Sequence, residues 1–319
     1  MSPDAVLPSP YPTDDPILGQ IGNTPMVAYP GTDNGRVQCK LETQNPTRSM
    51  KDRIAMGILT EALEEHDFDT VVEASSGNTA GAVALVANRY GLDCMLTCPD
   101  STSPSKIGYM RAFGADVHTC PSDVSDDHPE HYRRAAEALA EEQEAFLINQ
   151  YYNQSNPGVH YKWTGGEVWA QAGDEMTHLV CAMGTGGLLS GSARRVKEEA
   201  DAADRDVTVV GVDASQSNIS TAFYGDDPVE YDTSVEGLGK GHELPTMWFD
   251  FIDEMQDVDD DVAFEQARTS AREHGLLIGP SAGAALSVAQ DIAEENPEAN
   301  VVTIICDGGE QYFDTLFGN

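Results

Sequence analysis

The segment NPTRSMKDRIA, at positions 45–55, places a lysine where a helix is expected to begin. Ser49 followed three residues later by Asp52 is a helix start signal, and apolar residues recur at helical spacing from Ile54 onwards. The helix dipole disfavours a cation in the first turn by about 0.3–1 kcal/mol. Two interpretations of this segment remain open. Lys51 is either an uncharged amine used as a nucleophile or Schiff base, or a solvated lysine paired with Asp52.

Three glycine- or serine-rich turns each follow a predicted strand and precede a predicted helix, namely SSGNT at 75–79, GTGG at 184–187 and GPSAGAA at 279–285. In open α/β sheets, ligands bind at the carboxyl ends of strands. The donors of the first turn suit a carboxylate, and the backbone of the second suits a phosphate. The third puts Ser281 at a strand-to-helix corner. Taken singly, each turn is equally compatible with simple capping or a tight structural turn.

A dinucleotide-binding interpretation of the GTGG turn fails on one residue. Leu189 stands where the fingerprint requires a third glycine. Asp213, at the end of the following predicted strand, is placed as a ribose-binding acid would be. Without the glycine we do not expect nicotinamide binding.

Strand and helix patterns alternate along the chain, which predicts parallel βαβ units and an α/β fold. A polar turn at 151–158 is the best candidate for a domain junction. The predicted strands are 70–74, 92–98, 115–120, 146–150, 178–183, 207–213, 276–279 and 300–306. The predicted helices are 50–64, 80–91, 103–113, 129–145, 159–172, 188–200, 260–274 and 282–294.

The composition is strongly acidic, with a net charge of −36 from 54 acidic and 18 basic residues. This charge argues against nucleic acid or an anionic membrane as a partner. No apolar run is long enough for a membrane span, and the polar amino-terminal segment does not resemble a signal peptide. The acids are spread along the whole chain and lysine is scarce, which suggests a salt-filled cytoplasm. We interpret all six cysteines as reduced core thiols and expect no metal site: Cys39, Cys94, Cys98, Cys120, Cys181 and Cys306.

The order of the motifs resembles a known family. IGNTPMV, NPxxSxKDR, SSGNT, GTGG, EGLGKG, GxSAG and a terminal GGE-x-Tyr follow one another as in the β family of pyridoxal-phosphate enzymes, fold type II. Within it, the chain is similar to the cysteine synthases (O-acetylserine sulfhydrylases) and to the catalytic core of cystathionine β-synthase. The resemblance spans about residues 17–316.

This resemblance implies a fold of two doubly wound α/β domains, similar to the tryptophan synthase β subunit, with pyridoxal 5′-phosphate in the cleft between them. The larger domain, 1–43 plus 155–319, is expected to bind the cofactor phosphate. The smaller domain, 44–154, is expected to be mobile and to bind the substrate carboxylate.

The resemblance also implies the role of each site residue. Lys51 matches the lysine of the internal aldimine, so the resemblance favours the interpretation of Lys51 as an uncharged amine over that of a solvated lysine. Asn78 matches the hydrogen-bond donor to the cofactor 3′-oxygen, and Ser281 matches the residue that faces the pyridine nitrogen. The matches to the substrate-carboxylate pocket are Ser75, Ser76, Gly77, Thr79 and Gln150. The matches to the phosphate loop are Gly184, Thr185, Gly186 and Gly187.

The implied reaction is a ping-pong β-replacement. O-acetyl-L-serine loses acetate to give an aminoacrylate, and sulfide adds to it to give L-cysteine. A serine at position 281, unlike an aspartate, would not keep the pyridine ring protonated, which favours β-elimination and replacement over transamination. The resemblance further implies a cytoplasmic homodimer and serine acetyltransferase as a possible partner.

Several alternatives stay open at this level. Leu188 stands where the phosphate loop of cysteine synthases usually has a threonine, and Ser190 or water is the candidate for the lost hydroxyl donor. The sequence GTGGL resembles the phosphate loop of dehydratases, so a serine or threonine dehydratase is an alternative. Against them, Met50 and the Asp52-Arg53 pair flank Lys51, where those enzymes carry an aromatic residue and Arg-Gly. A cystathionine β-synthase-like activity is another alternative, and a non-catalytic binding partner is a hypothesis of a different class.

An O-phosphoserine-dependent reaction is a further alternative. Its dianionic donor needs a cation near the pocket. Lys240 and Arg48 are the candidates for that cation. O-acetylserine is nevertheless the donor that we favour, because the match in the EGLGKG loop is Gly239 and Lys240 lies one residue beyond it.

The charge density predicts stabilisation by salt. Area scaling gives about 13,000 Å² of surface and hence about 13 Å between neighbouring charges. The Debye length is about 10 Å in 0.1 M salt and about 3 Å in 1 M salt. The unfolding temperature should therefore rise between 0.1 M and 2 M KCl, measured by calorimetry. A flat or falling curve would contradict adaptation to salt.

Overall fold

The computed structural model describes residues 5–32 and 36–318. The chain divides into two compact units. The larger unit holds the described residues of Met1–Pro10, Gly22–Gln44 and Asn156–Asn319, and the smaller unit holds Tyr11–Ile21 and Asn45–Ser155.

In the described part of the chain, the strands are β1 Met26–Ala28, β2 Val37–Leu41, β3 Thr70–Ala74, β4 Asp93–Pro99, β5 Asp116–Cys120, β6 Phe146–Leu147, β7 His178–Ala182, β8 Thr208–Ala214, β9 Glu254–Val258 and β10 Val301–Ile305. The helices are α1 Lys51–Glu65, α2 Asn78–Tyr90, α3 Pro104–Ala112, α4 Tyr132–Glu142, α5 Ser155–Lys162, α6 Thr164–Ala172, α7 Gly187–Ala202, α8 Ile219–Tyr224, α9 Asp260–His274, α10 Pro280–Glu295 and α11 Phe313–Leu316.

The larger unit is built on a six-stranded sheet in the order β1-β2-β10-β7-β8-β9. Only the edge pairing of β1 with β2 is antiparallel within this sheet. The central strand β10, VVTII, is buried at every position, as expected for a parallel strand covered on both faces. The alanine-rich face of α10 packs against this sheet and forms much of the core of the unit.

The smaller unit has a four-stranded parallel sheet in the order β5-β4-β3-β6. Strand β3 lies between β4 and β6 and leads directly into α2. The nine residues of α2 that follow Asn78, TAGAVALVA, are small or apolar, and all are buried. Small side chains let this helix lie close to its neighbours, and Gly81 contacts the ring of Tyr109 on α3.

The predicted α/β class with parallel sheets is confirmed, but several predicted elements are wrong in detail. The helix predicted at 159–172 is two helices, α5 and α6, which are separated at Trp163. Gly165 is the second residue of α6, and its lack of a Cβ allows the backbone of Ser192 on α7 to approach closely.

The strand predicted at 276–279 is also wrong, because these residues do not form a strand in the structure. Its only sheet-like pairing in the described structure is an isolated bridge between Ile278 and Gly308. The strand predicted at 146–150 ends after Leu147, because Asn149 adopts a left-handed backbone with φ of +51°. The helix predicted at 129–145 is limited to α4.

All six cysteines are buried thiols outside any disulfide, as predicted. Burial raises the pKa of Cys39 and of Cys94 to about 12. Among the residues that the structure describes, none of the helices combines the length and hydropathy that crossing a membrane requires.

A fully buried lysine connects strand β2 of the larger sheet to α6. The ammonium of Lys40, on β2, donates to Glu167 Oε2 at 2.6 Å, to Gln171 Oε1 at 2.8 Å and to the carbonyl oxygen of Thr24 at 2.6 Å. The other oxygen of Glu167 accepts from the backbone N–H of Asn23 at 2.8 Å. Each charge of this ion pair is therefore solvated by protein groups instead of water.

Replacing Lys40 by methionine should lower the free energy of unfolding by about 3–5 kcal/mol, because it leaves the Glu167 carboxylate buried without its cation. Urea denaturation in constant high salt measures this change. Lys197→Met is the matched control, since it removes the same charge from a partly exposed pair with Asp253 and should cost about 1 kcal/mol or less. Equal losses in the two variants would contradict a special role for the buried pair.

Candidate active site

Lys51 is the first residue of α1 and is half-buried. Met50, with a helical backbone, precedes Lys51 directly, and the Ser49 hydroxyl accepts from the N–H of Lys51 at 3.1 Å, the kind of hydrogen bond that a serine makes at a helix start. Asp52 is fully buried, and its carboxylate oxygens accept from the N–H of Thr47, at 2.7 Å, and from the Thr47 hydroxyl. These bonds engage Asp52 with the preceding turn, so the picture of a solvated pair of Lys51 and Asp52 does not fit.

The SSGNT turn lies between β3 and α2, with Gly77 at the N-cap of the helix. The N–H of Ser75 donates to the carbonyl of Thr97 at 3.0 Å, which holds the turn at the end of β4. The Ser75 hydroxyl accepts from the N–H of Gly77 at 3.3 Å. The partly exposed residues of this turn are Ser75, Ser76, Gly77 and Asn78. They surround a helix N-terminus, where unsatisfied N–H groups and the dipole favour an anion.

Thr79 and Gln150 are brought together beside this turn. The Thr79 hydroxyl donates to Gln150 Oε1 at 2.7 Å, and both side chains are buried. Gln150 Nε2 donates in turn to Glu73 Oε1 at 3.0 Å. Burial raises the pKa of Glu73 to about 8, against the opposing effects of donated hydrogen bonds and of the Lys51 charge.

The GTGG turn is a backbone cradle at the N-terminus of α7. A Cβ at Gly184 would overlap the carbonyl oxygen of Gly237, and one at Gly187 would overlap the Asn156 side chain. Gly186 has a left-handed φ of +81°, and a Cβ there would overlap Met247. Side chains are therefore excluded at these three glycine positions. The loop presents backbone N–H groups and the N-terminus of a helix. This arrangement fits a phosphate group.

Two polar side chains form hydrogen bonds with Thr185 of this loop. The Thr246 hydroxyl donates to the carbonyl of Thr185 at 2.5 Å, and Asn156 Nδ2 lies 3.4 Å from Thr185 Oγ1. The Ser190 hydroxyl, which we expected as a replacement for the missing threonine, is fully buried and accepts from the N–H of Trp248 at 2.9 Å. The Ser190 oxygen therefore stabilises the backbone that packs against the GTGG loop.

Ser281 is buried in the first turn of α10. A Cβ built on Gly237 would lie 3.7 Å from Ser281 Oγ, so the hydroxyl lies beside the same segment that touches the GTGG loop. The terminal GGE-x-Tyr turn packs at this helix start as well. Tyr312 donates to Asp307 at 2.6 Å, and a Cβ at Gly279 would overlap that carboxylate.

The structure thus groups the predicted residues into two sets, one in each unit. In the smaller unit the set is Lys51, Ser75, Ser76, Gly77, Asn78, Thr79 and Gln150. In the larger unit the set is Gly184, Thr185, Gly186, Gly187 and Ser281. Sequence reasoning missed Glu73 and Thr246. An acid inside the apolar strand TVVEA was a signal for the first, because carboxylates are rarely buried without a partner. No sequence signal distinguished Thr246.

Two α/β units, a lysine at a helix start and a glycine cradle for a phosphate define a class of pyridoxal-phosphate enzyme. The family described as "Pyridoxal-phosphate dependent enzyme" matches residues 17–307. The chain belongs to this family, and pyridoxal 5′-phosphate is its cofactor. The glycine cradle and the serine at the start of α10 are residues that fit the phosphate and the ring of that cofactor.

Known proteins support this assignment over almost the whole chain. Cysteine synthase B of Escherichia coli (strain K12) is 35% identical over 306 residues, which cover 93% of this chain and 94% of that protein. The crystal structure of O-ureido-L-serine synthase superposes with a TM-score of 0.85 at 29% identity, covering 95% of both chains. A hydrogen sulfide-producing enzyme from Fusobacterium nucleatum superposes with a TM-score of 0.84 at 28% identity, covering 93% of this chain and 97% of that one.

The placement of Lys51 predicts the attachment site of the cofactor. Borohydride reduction of the cofactor-loaded protein, followed by peptide mapping, should place the pyridoxyl label on Lys51 alone. The fully buried Lys40 serves as an internal negative control. A label on any of the other five lysines would overturn the assignment of Lys51.

Proposed function

We propose that the protein makes L-cysteine from O-acetyl-L-serine and sulfide in a pyridoxal-phosphate-dependent β-replacement. The observation that carries this proposal is the similarity to cysteine synthase B along 93% of the chain. The site supports it, because the SSGNT turn, the GTGG turn and Ser281 lie at helix starts that suit the roles implied by the resemblance.

Lys51 is proposed to carry the cofactor and to move the substrate proton. When bound, pyridoxal phosphate supplies an electron sink that stabilises negative charge at the substrate Cα. The Lys51 amine takes the Cα proton as acetate leaves from Cβ, and returns a proton to Cα after sulfide has added to Cβ. Its half-buried position at the start of α1 suits a group that must exchange a proton while water is limited.

The SSGNT turn is proposed to bind the substrate carboxylate. The N-terminus of α2 offers backbone N–H groups, and Gln150 adds a side-chain amide fixed by Thr79. Asn78 is proposed to donate to the 3′-oxygen of the cofactor. A carboxylate held at this turn sets the orientation of the Cα–H bond, which is what makes proton removal selective.

The GTGG loop and Ser281 are proposed to hold the two ends of the cofactor. Backbone N–H groups of Gly184 to Gly187 neutralise the phosphate without a cationic side chain. Ser281 gives the pyridine nitrogen a neutral partner. A neutral partner leaves the ring a weaker electron sink, which favours loss of a β-substituent over transamination.

The residues around Lys51 favour this activity over that of a dehydratase. Asp52 and Arg53 are both fully buried, and Asp52 fixes the turn at Thr47. This local structure depends on residues that the dehydratase pattern lacks. The homodimer, the cytoplasmic location and the serine acetyltransferase partner remain predictions.

The choice of donor depends on cations near the pocket. Lys240 is half-buried in the segment 236–241, and its backbone is fixed by hydrogen bonds to Ser217 at 2.9 Å and to Asn218 at 2.8 Å. Arg48 is exposed and has a left-handed φ of +66°. An exposed cation such as Arg48 binds a phosphate dianion weakly in molar salt, and Lys240 lies one residue beyond the matched Gly239, so we favour the uncharged acetyl ester.

In 2 M KCl, kcat/KM should be higher for O-acetylserine than for O-phosphoserine. The measurement is cysteine formation with each donor in the wild type and in Lys240→Ala. Lys162→Ala removes the same charge outside the 236–241 segment and is the matched control. Homocysteine and hydroxyurea, tested in place of sulfide, compare the alternative nucleophiles.

A tenfold preference for O-phosphoserine that Lys240→Ala abolishes would make Lys240 a phosphate-binding residue and overturn the acetyl-ester proposal. Deamination of serine or threonine without a nucleophile would favour the dehydratase. Absence of turnover with every donor, in protein that carries the cofactor, would favour the non-catalytic hypothesis.

A further inference from the structure

Glu73 is a buried carboxylate that the proposed reaction does not use. It lies near the end of β3, between the neighbouring strands β4 and β6, and its side chain is 1% exposed. Burying a carboxyl group is costly unless protein groups replace its water. The other buried residues of β3 are Val71 and Val72, so a carboxyl group at this position has a reason beyond packing.

Two donors meet this side chain. Glu73 Oε2 accepts from the backbone N–H of Asn149 at 2.9 Å, and Oε1 accepts from Nε2 of Gln150 at 3.0 Å. Asn149 has the left-handed backbone that ends β6. Its N–H is turned toward Glu73 and not toward a strand partner. The residues that terminate the strand are therefore the same ones that hold the carboxyl group.

The contacts fix which way the Gln150 amide faces. The ionised form of Glu73 only accepts hydrogen bonds, so above its raised pKa of about 8 it selects the NH₂ end of the amide. The carbonyl end then faces Thr79, whose hydroxyl donates to it at 2.7 Å. The two ends of a glutamine amide have nearly the same shape, so packing alone selects poorly between its two orientations. Hydrogen bonding selects instead.

We propose that Glu73 is a positioning residue for the substrate α-carboxylate, which acts by locking the amide orientation of Gln150. The proposal rests on the proposed function, in which Gln150 and the SSGNT turn bind that carboxylate. Glu73 itself touches neither substrate nor cofactor. It determines where the N–H groups of Gln150 lie when the substrate arrives.

The Glu73→Gln variant tests the orientation with little change in shape. A glutamine at 73 presents either a donor or an acceptor, so the Gln150 amide is no longer held in one orientation. The probes are L-alanine, which has the carboxylate but no leaving group at Cβ, and L-alaninamide, which lacks the carboxylate. Binding is followed by the change in absorbance of the bound cofactor.

We expect Glu73→Gln to weaken L-alanine binding roughly tenfold or more, the size of one hydrogen bond to a charged group, while L-alaninamide binding and cofactor affinity stay unchanged. Glu61→Gln is the matched control. It removes a carboxylate of the same unit that accepts from the Tyr11 hydroxyl at 2.7 Å, and it should affect neither probe.

A double variant, Glu73→Gln with Gln150→Glu, separates positioning from folding. It exchanges donor and acceptor, so the contacts with Asn149 and Thr79 can form again and the unfolding temperature should recover. The amide donor at position 150 is lost, so L-alanine binding should not recover.

Three results would overturn the proposal. The first is an equal loss of affinity for L-alanine and L-alaninamide in Glu73→Gln, which indicates a structural role only. The second is unchanged L-alanine binding, and the third is recovery of that binding in the double variant.

If the wild type does not distinguish the two probes, the carboxylate pocket of the proposed function fails as well. Failure of O-acetylserine turnover with intact discrimination would refute the proposed reaction and leave the role of Glu73 standing.

Discussion

A parallel strand that runs directly into a helix is the constraint on which the rest of this structure depends. Such a connection ends with the positive end of a helix dipole and unsatisfied N–H groups at the edge of the sheet. The smaller unit uses it after β3, where α2 starts at Asn78, and the larger unit uses it after β7, where α7 starts at Gly187. Both turns are suited to binding an anion without a cationic side chain. A chain with so few lysines can therefore bind a phosphate and a carboxylate through its backbone.

A second constraint is that every buried carboxyl group needs protein hydrogen-bond donors in place of water, and this chain is rich in carboxyl groups. The carboxyl groups of Glu73, Asp52, Asp213 and Glu167 are each fully or almost fully buried, and each accepts hydrogen bonds from specific protein donors. Asp213, for example, accepts from the backbone N–H groups of two residues at the start of α8. The predicted stabilisation by salt depends on the acids at the surface. The buried acids fix turns and side-chain orientations.

The sequence allowed the fold class and the positions of most elements to be predicted, since strand and helix periodicities alternate and the motifs occur in a recognisable order. It did not allow the short-range breaks to be predicted. The separation of α5 from α6 at Trp163 and the end of β6 at Leu147 depend on close packing at Gly165 and on a left-handed residue at Asn149. The partners of Glu73 were equally hidden, because they come from residues far away in the sequence. Tertiary contacts decide such features, and a pattern of residue types does not contain them.

The burial of the cysteines has a consequence for a chain proposed to handle sulfide and a thiol product. Thiolates, and not thiols, attack disulfides and electrophilic carbons. Burial raises the pKa of Cys39, Cys94, Cys98, Cys120 and Cys181, so the thiolate fraction of these residues at neutral pH is below that of an exposed cysteine. These five cysteines are therefore weaker competitors of sulfide for a reactive carbon, and poorer partners for exchange with oxidised forms of the product, than exposed cysteines would be.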